Sequence, residues 1–259
     1  MRNLLIMGAL AGKTTIITGG TSGMGEGIAF KFLSEGSNLI IGGRDIERGN
    51  AIIQKISEKG GQGKFIPGEA EKASTGKNLV NAAITKFGRI DNVIMSAGRL
   101  GLGKITELSD EEWRKTMDVN LNSVFYLLKH AIPAMQKNGG GSIVIIGSVA
   151  AFHAFPAHPA YCASKGALVS LVRQVAADYG PSIRINLLCP AQVDTPLLRD
   201  SVKAFENPQT IISQTEAKLP LKRLGTIKDI AEAAYFLAGD GSSWITGTCL
   251  TIDGGFLCT

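Results

Sequence analysis

Cysteine pairs and metal-binding clusters are lacking in this chain of 259 residues. It has three histidines and four cysteines, none of them in a Cys-x-x-Cys pair. This composition argues against a zinc site, so no bound metal is expected. A chain of this length can bury roughly three quarters of its unfolded surface and needs no covalent staples. Scattered thiols are typical of a reducing compartment, which predicts a cytoplasmic protein. The cysteines are Cys162, Cys189, Cys249 and Cys258.

Blocks of like charge and long hydrophobic runs are also lacking. The 27 Lys and Arg and 22 Asp and Glu are scattered, for a net charge of +5 and a pI of about 9.0. Without a Lys/Arg run, neither a nucleic-acid partner nor a membrane surface is expected. No apolar stretch reaches the roughly 18 residues of a membrane span. Lys13 interrupts the apolar start before a signal sequence develops, and residues 1–10 are predicted to form a tail.

Short apolar runs alternate with longer amphipathic stretches along the rest of the chain. Hydrophobic residues make up 44% and charged residues 19%, which excludes disorder and coiled coil. The alternation predicts a single doubly wound α/β domain with a parallel sheet. Strands are predicted at Thr14–Thr18, 38–41, 64–66, Asn92–Met95, 142–146, 183–188 and 248–252. Helices are predicted at 26–34, 45–59, Ala73–Phe87, 110–136, 161–179 and 227–237.

A glycine-rich turn, TGGTSGMG at 18–25, follows the first predicted strand and opens a helix. Glycines there let the backbone approach a pyrophosphate, and the helix N-terminus offers free N–H groups. The turn therefore favours dinucleotide binding over a plain strand-to-helix connection. An earlier run at 8–14 is similar to a phosphate-binding P-loop but is one residue short and precedes a strand, so Lys13 is expected to be ordinary and exposed. The cofactor residues predicted in the turn are Gly19, Thr21, Ser22, Met24 and Gly25.

The second predicted strand ends at Gly43 and Arg44, 19 residues after Gly25. An acidic residue at this point would hold the ribose 2′-hydroxyl of NAD. Arg44 could instead bind a 2′-phosphate through two charge-assisted hydrogen bonds. NADP(H) is therefore the preferred cofactor, and Asp45 leaves NAD(H) open.

A phenol and an ammonium four residues apart suggest acid–base chemistry. Tyr161 and Lys165 share one face of a predicted helix, and a nearby cation lowers the pKa of a phenol. Ser148, thirteen residues before Tyr161, follows a strand and could orient a substrate oxygen. Asn120 lies in the long predicted helix, where its amide could hold a water beside Lys165. Each residue alone has an ordinary structural explanation, but the joint set at one sheet edge is uncommon.

These motifs together resemble those of the short-chain dehydrogenase/reductase family, in its ordinary single-domain subgroup. The resemblance runs from Leu10 to Phe256. It implies a seven-stranded Rossmann-like sheet, a nicotinamide cofactor, and hydride transfer between a carbonyl and an alcohol. The residues that carry it are TGGTSGMG at 18–25, Ser96-Ala97-Gly98, Asn120, Ser148, YCASK at 161–165, the segment 190–196 and the segment 251–255.

The resemblance also implies a role for each matching residue. Tyr161 would be the general acid in reduction and the general base in oxidation, with Lys165 lowering its pKa and binding the nicotinamide ribose. Ser148 would polarise the carbonyl oxygen, and Asn120 would support a water in a proton relay. Tyr161 and Lys165 also count as cofactor-binding residues. The remaining predicted cofactor residues are Glu69, Ala70, Ser96, Ala97, Gly98, Pro190, Val193 and Thr195.

Four positions depart from the family pattern. Met95-Ser96 stands for Asn-Asn, Glu69 for an Asp near the adenine, Ala191 for Gly, and Met24 for a common Ile. None is one of the four catalytic residues, so retained activity with an altered cofactor pocket is predicted. The alternatives are an NAD(H)-dependent alcohol dehydrogenase, a sugar-nucleotide epimerase or dehydratase, and a non-catalytic dinucleotide-sensing protein.

The substrate and the assembly are predicted from the segments after Ser148 and Thr195. The segment 197–219 is predicted to form a lid, and its apolar residues favour a hydrophobic or cyclic ketone. His153 and His158 are expected at the surface or in loops. Apolar outer faces on the helices at 110–136 and 161–179, together with the usual behaviour of the family, predict a homo-oligomer, a dimer or tetramer.

Overall fold

A seven-stranded parallel sheet forms the centre of the protein in the computed structural model, which describes residues 8–202 and 208–258. The strand order is β3-β2-β1-β4-β5-β6-β7, which confirms the doubly wound fold. The order reverses between β1 and β4, and ligands of such sheets bind at this point, beyond the carboxyl ends of the strands. The strands are β1 (Thr14–Thr18), β2 (Asn38–Gly43), β3 (Gly63–Pro67), β4 (Asn92–Met95), β5 (Gly141–Ile146), β6 (Ile183–Pro190) and β7 (Cys249–Ile252).

Helices cover both faces of the sheet because neighbouring strand residues point to opposite sides. Ile16 belongs to one buried cluster and Ile17 to the other. The first cluster packs against α3, α5 and α6, and the second against α1, α2 and α9. The helices are α1 (Gly23–Ser34), α2 (Ile46–Glu58), α3 (Ala73–Phe87), α4 (Asp110–Met117), α5 (Ser123–Gln136), α6 (Pro159–Tyr179), α7 (Pro196–Val202), α8 (Pro208–Lys218) and α9 (Ile227–Ala238).

The structure departs from the predicted elements mainly where they border the crevice. The long helix predicted at 110–136 is divided into α4 and α5 by a π-helical turn, Asp118–Asn122. Such turns occur often at functional sites. The helix α1 begins at Gly23 rather than at residue 26, and β6 continues to Pro190. These differences lengthen the elements that reach the crevice.

The structure describes the predicted N-terminal tail and the predicted lid only in part. Residues 1–7 lie outside the described part, but Leu10 is fully buried, so a tail that extends to residue 10 is too long. In the predicted lid, α7 and α8 are described, whereas Phe205 is outside the described residues. Lys13 is half-buried and its Nζ lies 3.5 Å from Asp240 Oδ1, so it is less exposed than expected. Among the described helices, none combines the length and the apolar character needed to cross a bilayer.

Candidate active site

A groove of about 540 Å³ lies across the carboxyl ends of β1, β2 and β4. Six predicted cofactor residues do not border it: Gly25, Glu69, Tyr161, Lys165, Pro190 and Val193. Gly25 is buried under the glycine-rich turn, and Glu69 is exposed with an ion pair of 3.9 Å to Lys72. The predicted residues that line the groove are Gly19, Thr21, Ser22, Met24, Arg44, Ala70, Ser96, Ala97, Gly98 and Thr195.

The glycine-rich turn is shaped so closely against its neighbours that side chains are excluded. Gly19 has a φ of +63°, and a Cβ there would lie 2.8 Å from the Ala97 nitrogen. A Cβ on Gly25 would lie 2.2 Å from the Gly19 carbonyl oxygen. Ser22 precedes the first turn of α1 without capping it through its side chain. The N–H groups at the start of α1 therefore border the groove and can bind an anion.

The far end of the groove, after β2, carries two arginines and one aspartate. Asp45 caps α2, because its Oδ1 accepts a hydrogen bond of 3.0 Å from the Arg48 backbone N–H. Its Oδ2 accepts a second bond of 2.7 Å from Arg48 Nε, and these bonds hold the pKa of Asp45 below its usual value. Arg44 is exposed and has no carboxylate partner among the described residues. A Cβ on Gly43 would lie 2.8 Å from Thr21 Cγ2, so this bend needs glycine.

A second cavity, of about 230 Å³, continues from the groove toward the loop after β5. Met24, Thr195 and Leu197 border both spaces. Predicted residues of the catalytic and nicotinamide regions meet in this cavity. They are Ser148, Tyr161, Pro190, Val193 and Thr195.

Ser148 and Tyr161 lie side by side in this cavity. Ser148 ends the loop after β5, and its Oγ accepts a hydrogen bond of 3.1 Å from the Ala150 N–H to open a short 3-10 turn. Burial raises the pKa of Tyr161 above its usual value, and this effect outweighs the Ser148 hydroxyl, which lowers that pKa. In the free protein the phenol is therefore held protonated, ready to act as an acid.

Lys165 lies one turn after Tyr161 on α6, with its side chain almost fully buried. Its Nζ donates a hydrogen bond of 2.8 Å to the Ile146 carbonyl and lies 5.6 Å from the Tyr161 ring centroid. Burial lowers the pKa of this ammonium to about 8. The expected lowering of the Tyr161 pKa by Lys165 is not seen in the free protein, where burial raises that pKa.

Asn120 lies in the π-helical turn and fastens the loop after β4 to α6. Its Oδ1 accepts a hydrogen bond from the Arg99 N–H, and its Nδ2 donates to the Arg99 carbonyl and to Ser164 Oγ. Both N–H groups of the Asn120 amide therefore donate to other protein atoms. A water beside Lys165 could be held by this side chain only through the remaining lone pair of Oδ1.

Several side chains at the site were not predicted from the sequence. Arg48, Arg99 and Lys115 border the groove. His158 and Gln192 line the smaller cavity. His158 lies in the loop just before α6, as expected. Its position three residues before Tyr161 is the one signal in the sequence that could have placed it at the site.

Sequence comparisons show that the chain is similar to known oxidoreductases. A family model described as enoyl-(acyl carrier protein) reductase matches residues 19–257. A 2,5-dichloro-2,5-cyclohexadiene-1,4-diol dehydrogenase of Sphingobium indicum is 34% identical, over 95% of this chain and 97% of the relative. A 3β-hydroxysteroid dehydrogenase of Mediterraneibacter gnavus is also 34% identical, over 97% of both chains.

Solved structures of a dehydrogenase and a reductase are also similar to this chain. The aldohexose dehydrogenase of Thermoplasma acidophilum is 33% identical and superposes with a TM-score of 0.87, covering 98% of this chain and 97% of that one. A levodione reductase superposes with a TM-score of 0.92 at 29% identity, covering 95% of this chain and 98% of that one.

Proposed function

Because this chain belongs to the short-chain dehydrogenase/reductase family, we propose that it interconverts a ketone and a secondary alcohol with NADP(H). Family membership makes it an NAD(P)-dependent oxidoreductase. The observation that carries the specific reaction is that Ser148 and Tyr161 line one cavity, which borders the dinucleotide groove.

The residues of the groove fit a dinucleotide. A Cβ would collide at Gly19 and at Gly25, so the turn leaves room for a pyrophosphate against the backbone. The α1 N-terminus offers N–H groups and a positive dipole end to it. Pro190, Val193 and Thr195 border the cavity next to Tyr161, where a nicotinamide would lie. The residues present therefore fit NAD(P)(H).

The protein's part in the reaction is to hold one oxygen and to move one proton. A bound reduced nicotinamide supplies the hydride for the carbonyl carbon. Ser148 Oγ and the Tyr161 hydroxyl both bind the carbonyl oxygen, and the phenol gives that oxygen its proton as charge develops on it. Lys165 supplies a positive charge close to the phenolate that remains. Oxidation of an alcohol uses the same groups in reverse.

The preference for NADP(H) is supported by Arg44. This guanidinium borders the groove directly after β2 and has no carboxylate partner in the described residues, so it is available for a 2′-phosphate. The alternative, NAD(H), would need Asp45 to accept hydrogen bonds from a ribose. Both oxygens of Asp45 already accept bonds from Arg48, which favours NADP(H).

An apolar, cyclic ketone or alcohol is the substrate class that the cavity supports best. Apolar side chains form most of its wall. Two of the relatives named above are a cyclohexadiene-diol dehydrogenase and a hydroxysteroid dehydrogenase, both acting on ring compounds. The apolar lining residues are Met24, Leu100, Val149, Phe155, Val193, Leu197 and Leu198.

We also propose that the protein is a homo-oligomer in a reducing cytoplasm. Phe125 on α5 is 52% exposed, and Trp244 is 99% exposed. A second copy would remove these large apolar side chains from water. The described cysteines are free thiols, which agrees with a reducing compartment. A mass in solution equal to one chain would contradict the oligomer.

The substitution Tyr161→Phe tests the proposed function. It removes the proton donor and keeps the ring, so reduction of a ketone by NADPH should slow by about 10³-fold. Binding of NADPH, measured by fluorescence titration, should change less than about threefold. The matched control is Tyr179→Phe at the partly exposed end of the same helix, which should keep full activity. Loss of NADPH binding together with activity would point to misfolding, and unchanged turnover would overturn the proposal.

A further inference from the structure

Polar side chains are few in the substrate cavity, and most of them have partners. Apart from Ser148 and Tyr161, the cavity has four: His158, Gln192, Thr195 and Ser201. Thr195 Oγ1 donates a hydrogen bond to the Val193 carbonyl and accepts one from the Leu198 N–H. Ser201 Oγ donates to the Leu198 carbonyl. His158 and Gln192 thus remain as the polar side chains available to a ligand.

The Pro156 carbonyl determines which nitrogen of the neutral His158 ring carries the proton. Its Nδ1 lies 2.6 Å from the Pro156 carbonyl oxygen. Because a carbonyl can only accept a hydrogen bond, Nδ1 carries the proton of the neutral ring. Nε2 is then a hydrogen-bond acceptor. The ring lies edge-on to the Tyr161 ring, with centroids 6.2 Å apart, and both side chains line the same cavity.

Gln192 has an unsatisfied amide. Its Oε1 is shielded from solvent and accepts no hydrogen bond from the described residues. A buried polar atom without a partner is costly, and such atoms are rare enough in proteins to need an explanation. The last torsion of a glutamine side chain is soft, so the amide can turn its oxygen toward a donor that enters the cavity.

A substrate hydroxyl can donate its single hydrogen to His158 Nε2 or to Gln192 Oε1, and its oxygen can accept a hydrogen bond from the Gln192 amide nitrogen. His158 opens α6 and Gln192 follows β6, so they approach the cavity from two elements that also border the catalytic pair. The rest of the cavity wall is mainly apolar and suits a carbon ring. We propose that Gln192 and His158 bind a second hydroxyl group of the substrate, so that the enzyme prefers cyclic hydroxyketones and diols over rings with a single oxygen. This inference rests on the proposed function of the same site.

The test compares ketones that differ by one hydroxyl. The rates of reduction by NADPH are measured for cyclohexanone and for 2-, 3- and 4-hydroxycyclohexanone. For the wild-type protein, kcat/KM for at least one hydroxyketone should exceed that of cyclohexanone by about 10- to 100-fold, because cyclohexanone leaves the buried Gln192 oxygen without a hydrogen-bond donor. Gln192→Met keeps the length of the side chain and removes its polar end. This variant should reduce the preference to within about threefold, by raising KM for the hydroxyketone and leaving cyclohexanone almost unchanged.

A second variant and a control keep the result interpretable. His158→Asn retains a donor at the δ position for the Pro156 carbonyl and removes Nε2, and it should also weaken the preference. Gln174→Met repeats the glutamine substitution on the exposed side of α6, where Gln174 bonds Asp178. It should leave all four rates unchanged. Thermal unfolding checks that each variant folds.

The possible failures are distinguishable. Equal kcat/KM for all four ketones in the wild-type protein would overturn the inference and leave the reductase activity standing. A preference that survives both Gln192→Met and His158→Asn would overturn the assignment of these two residues. Bound NADPH with no turnover of any of the four ketones would contradict the proposed activity on cyclic ketones itself.

Discussion

The two ends of the crevice differ in how firmly their side chains are held before anything binds. At the catalytic end, Lys165 and Asn120 are both nearly inaccessible to water and are hydrogen-bonded to main-chain groups. At the ribose end, Arg44 and Arg48 are exposed, and the ion pair between Arg48 and Asp45 lies at the surface. The fold therefore fixes the proposed catalytic side chains, whereas the side chains proposed to decide cofactor preference are exposed charges.

This difference follows from the environment of each charge. Buried polar groups that are fully hydrogen-bonded are rigid, and removing one leaves its partner unsatisfied. Exposed ion pairs contribute little, because water and salt screen them. Changes at the catalytic end should therefore cost orders of magnitude in rate. Changes at the ribose end should have smaller effects, of at most about 100-fold.

Among the substitutions that test this difference between the two ends of the crevice, Lys165→Met is expected to have the largest effect. The variant keeps an unbranched side chain but removes the buried charge next to the phenol. Turnover should fall by about 10²- to 10³-fold, because the phenolate formed on proton transfer is no longer stabilised. Steady-state kinetics with saturating NADPH measure it. The control Lys129→Met, at an exposed position on α5, should be fully active. A decrease of less than tenfold would show that the charge is not needed.

The pKa of Lys165 also sets a pH dependence. The value of about 8 in the folded protein is below the usual 10.5, so the ammonium loses its proton as pH rises through 8. The rate constant kcat/KM for reduction should therefore fall above pH 8. From pH 8 to 10.5 the unfolded chain binds more protons at this lysine, so the wild-type protein should gain stability relative to Lys165→Met. Denaturant unfolding of both proteins at pH 7.5 and 9.5 measures this rise in relative stability, which is opposite to the fall in rate.

The catalytic end was also the part that the sequence predicted best. Tyr161 and Lys165 lie on one helix, and a spacing of four residues puts both side chains on the same helix face in any tertiary context. Ser148 follows a strand, and the carboxyl ends of parallel strands meet at one edge. Local spacing thus placed all three near the crevice. The doubly wound parallel sheet followed from the alternation of strands and helices, and its seven strands from the family resemblance.

Other features depend on contacts that spacing does not encode. The π-helical turn at Asn120 is one, because the apolar pattern of the helix continues through it. Another is the raised pKa of Tyr161, which comes from burial by distant segments. Gln192 is a third, since its missing partner is visible only in three dimensions. Glu69 was placed at the groove by analogy with an aspartate, but it lies outside on the surface.

A moderate effect that tests the ribose end is expected from Arg44→Ala. If Arg44 binds the 2′-phosphate through charge-assisted hydrogen bonds, the variant should lose about 10- to 100-fold in kcat/KM with NADPH. Activity with NADH should change less than about twofold. The matched control is Arg48→Ala. That guanidinium is already held by Asp45, so the control should lose only about threefold with NADPH. An unchanged ratio of NADPH to NADH activity would remove Arg44 from the cofactor site.

The smallest effect, and the one that separates the two cofactors most directly, is expected from Asp45→Asn. An asparagine still accepts the Arg48 N–H at the start of α2, so the helix is retained while one negative charge is lost. The affinity for NADPH should rise about two- to fourfold, because repulsion of the 2′-phosphate is removed and Arg48 is released. The gain should shrink in 0.5 M salt, where surface charges are screened. If Asp45 instead bound the ribose of NADH, the same substitution would weaken NADH binding. Titration of both nucleotides against the variant therefore decides whether the exposed end of the crevice recognises a phosphate or a hydroxyl.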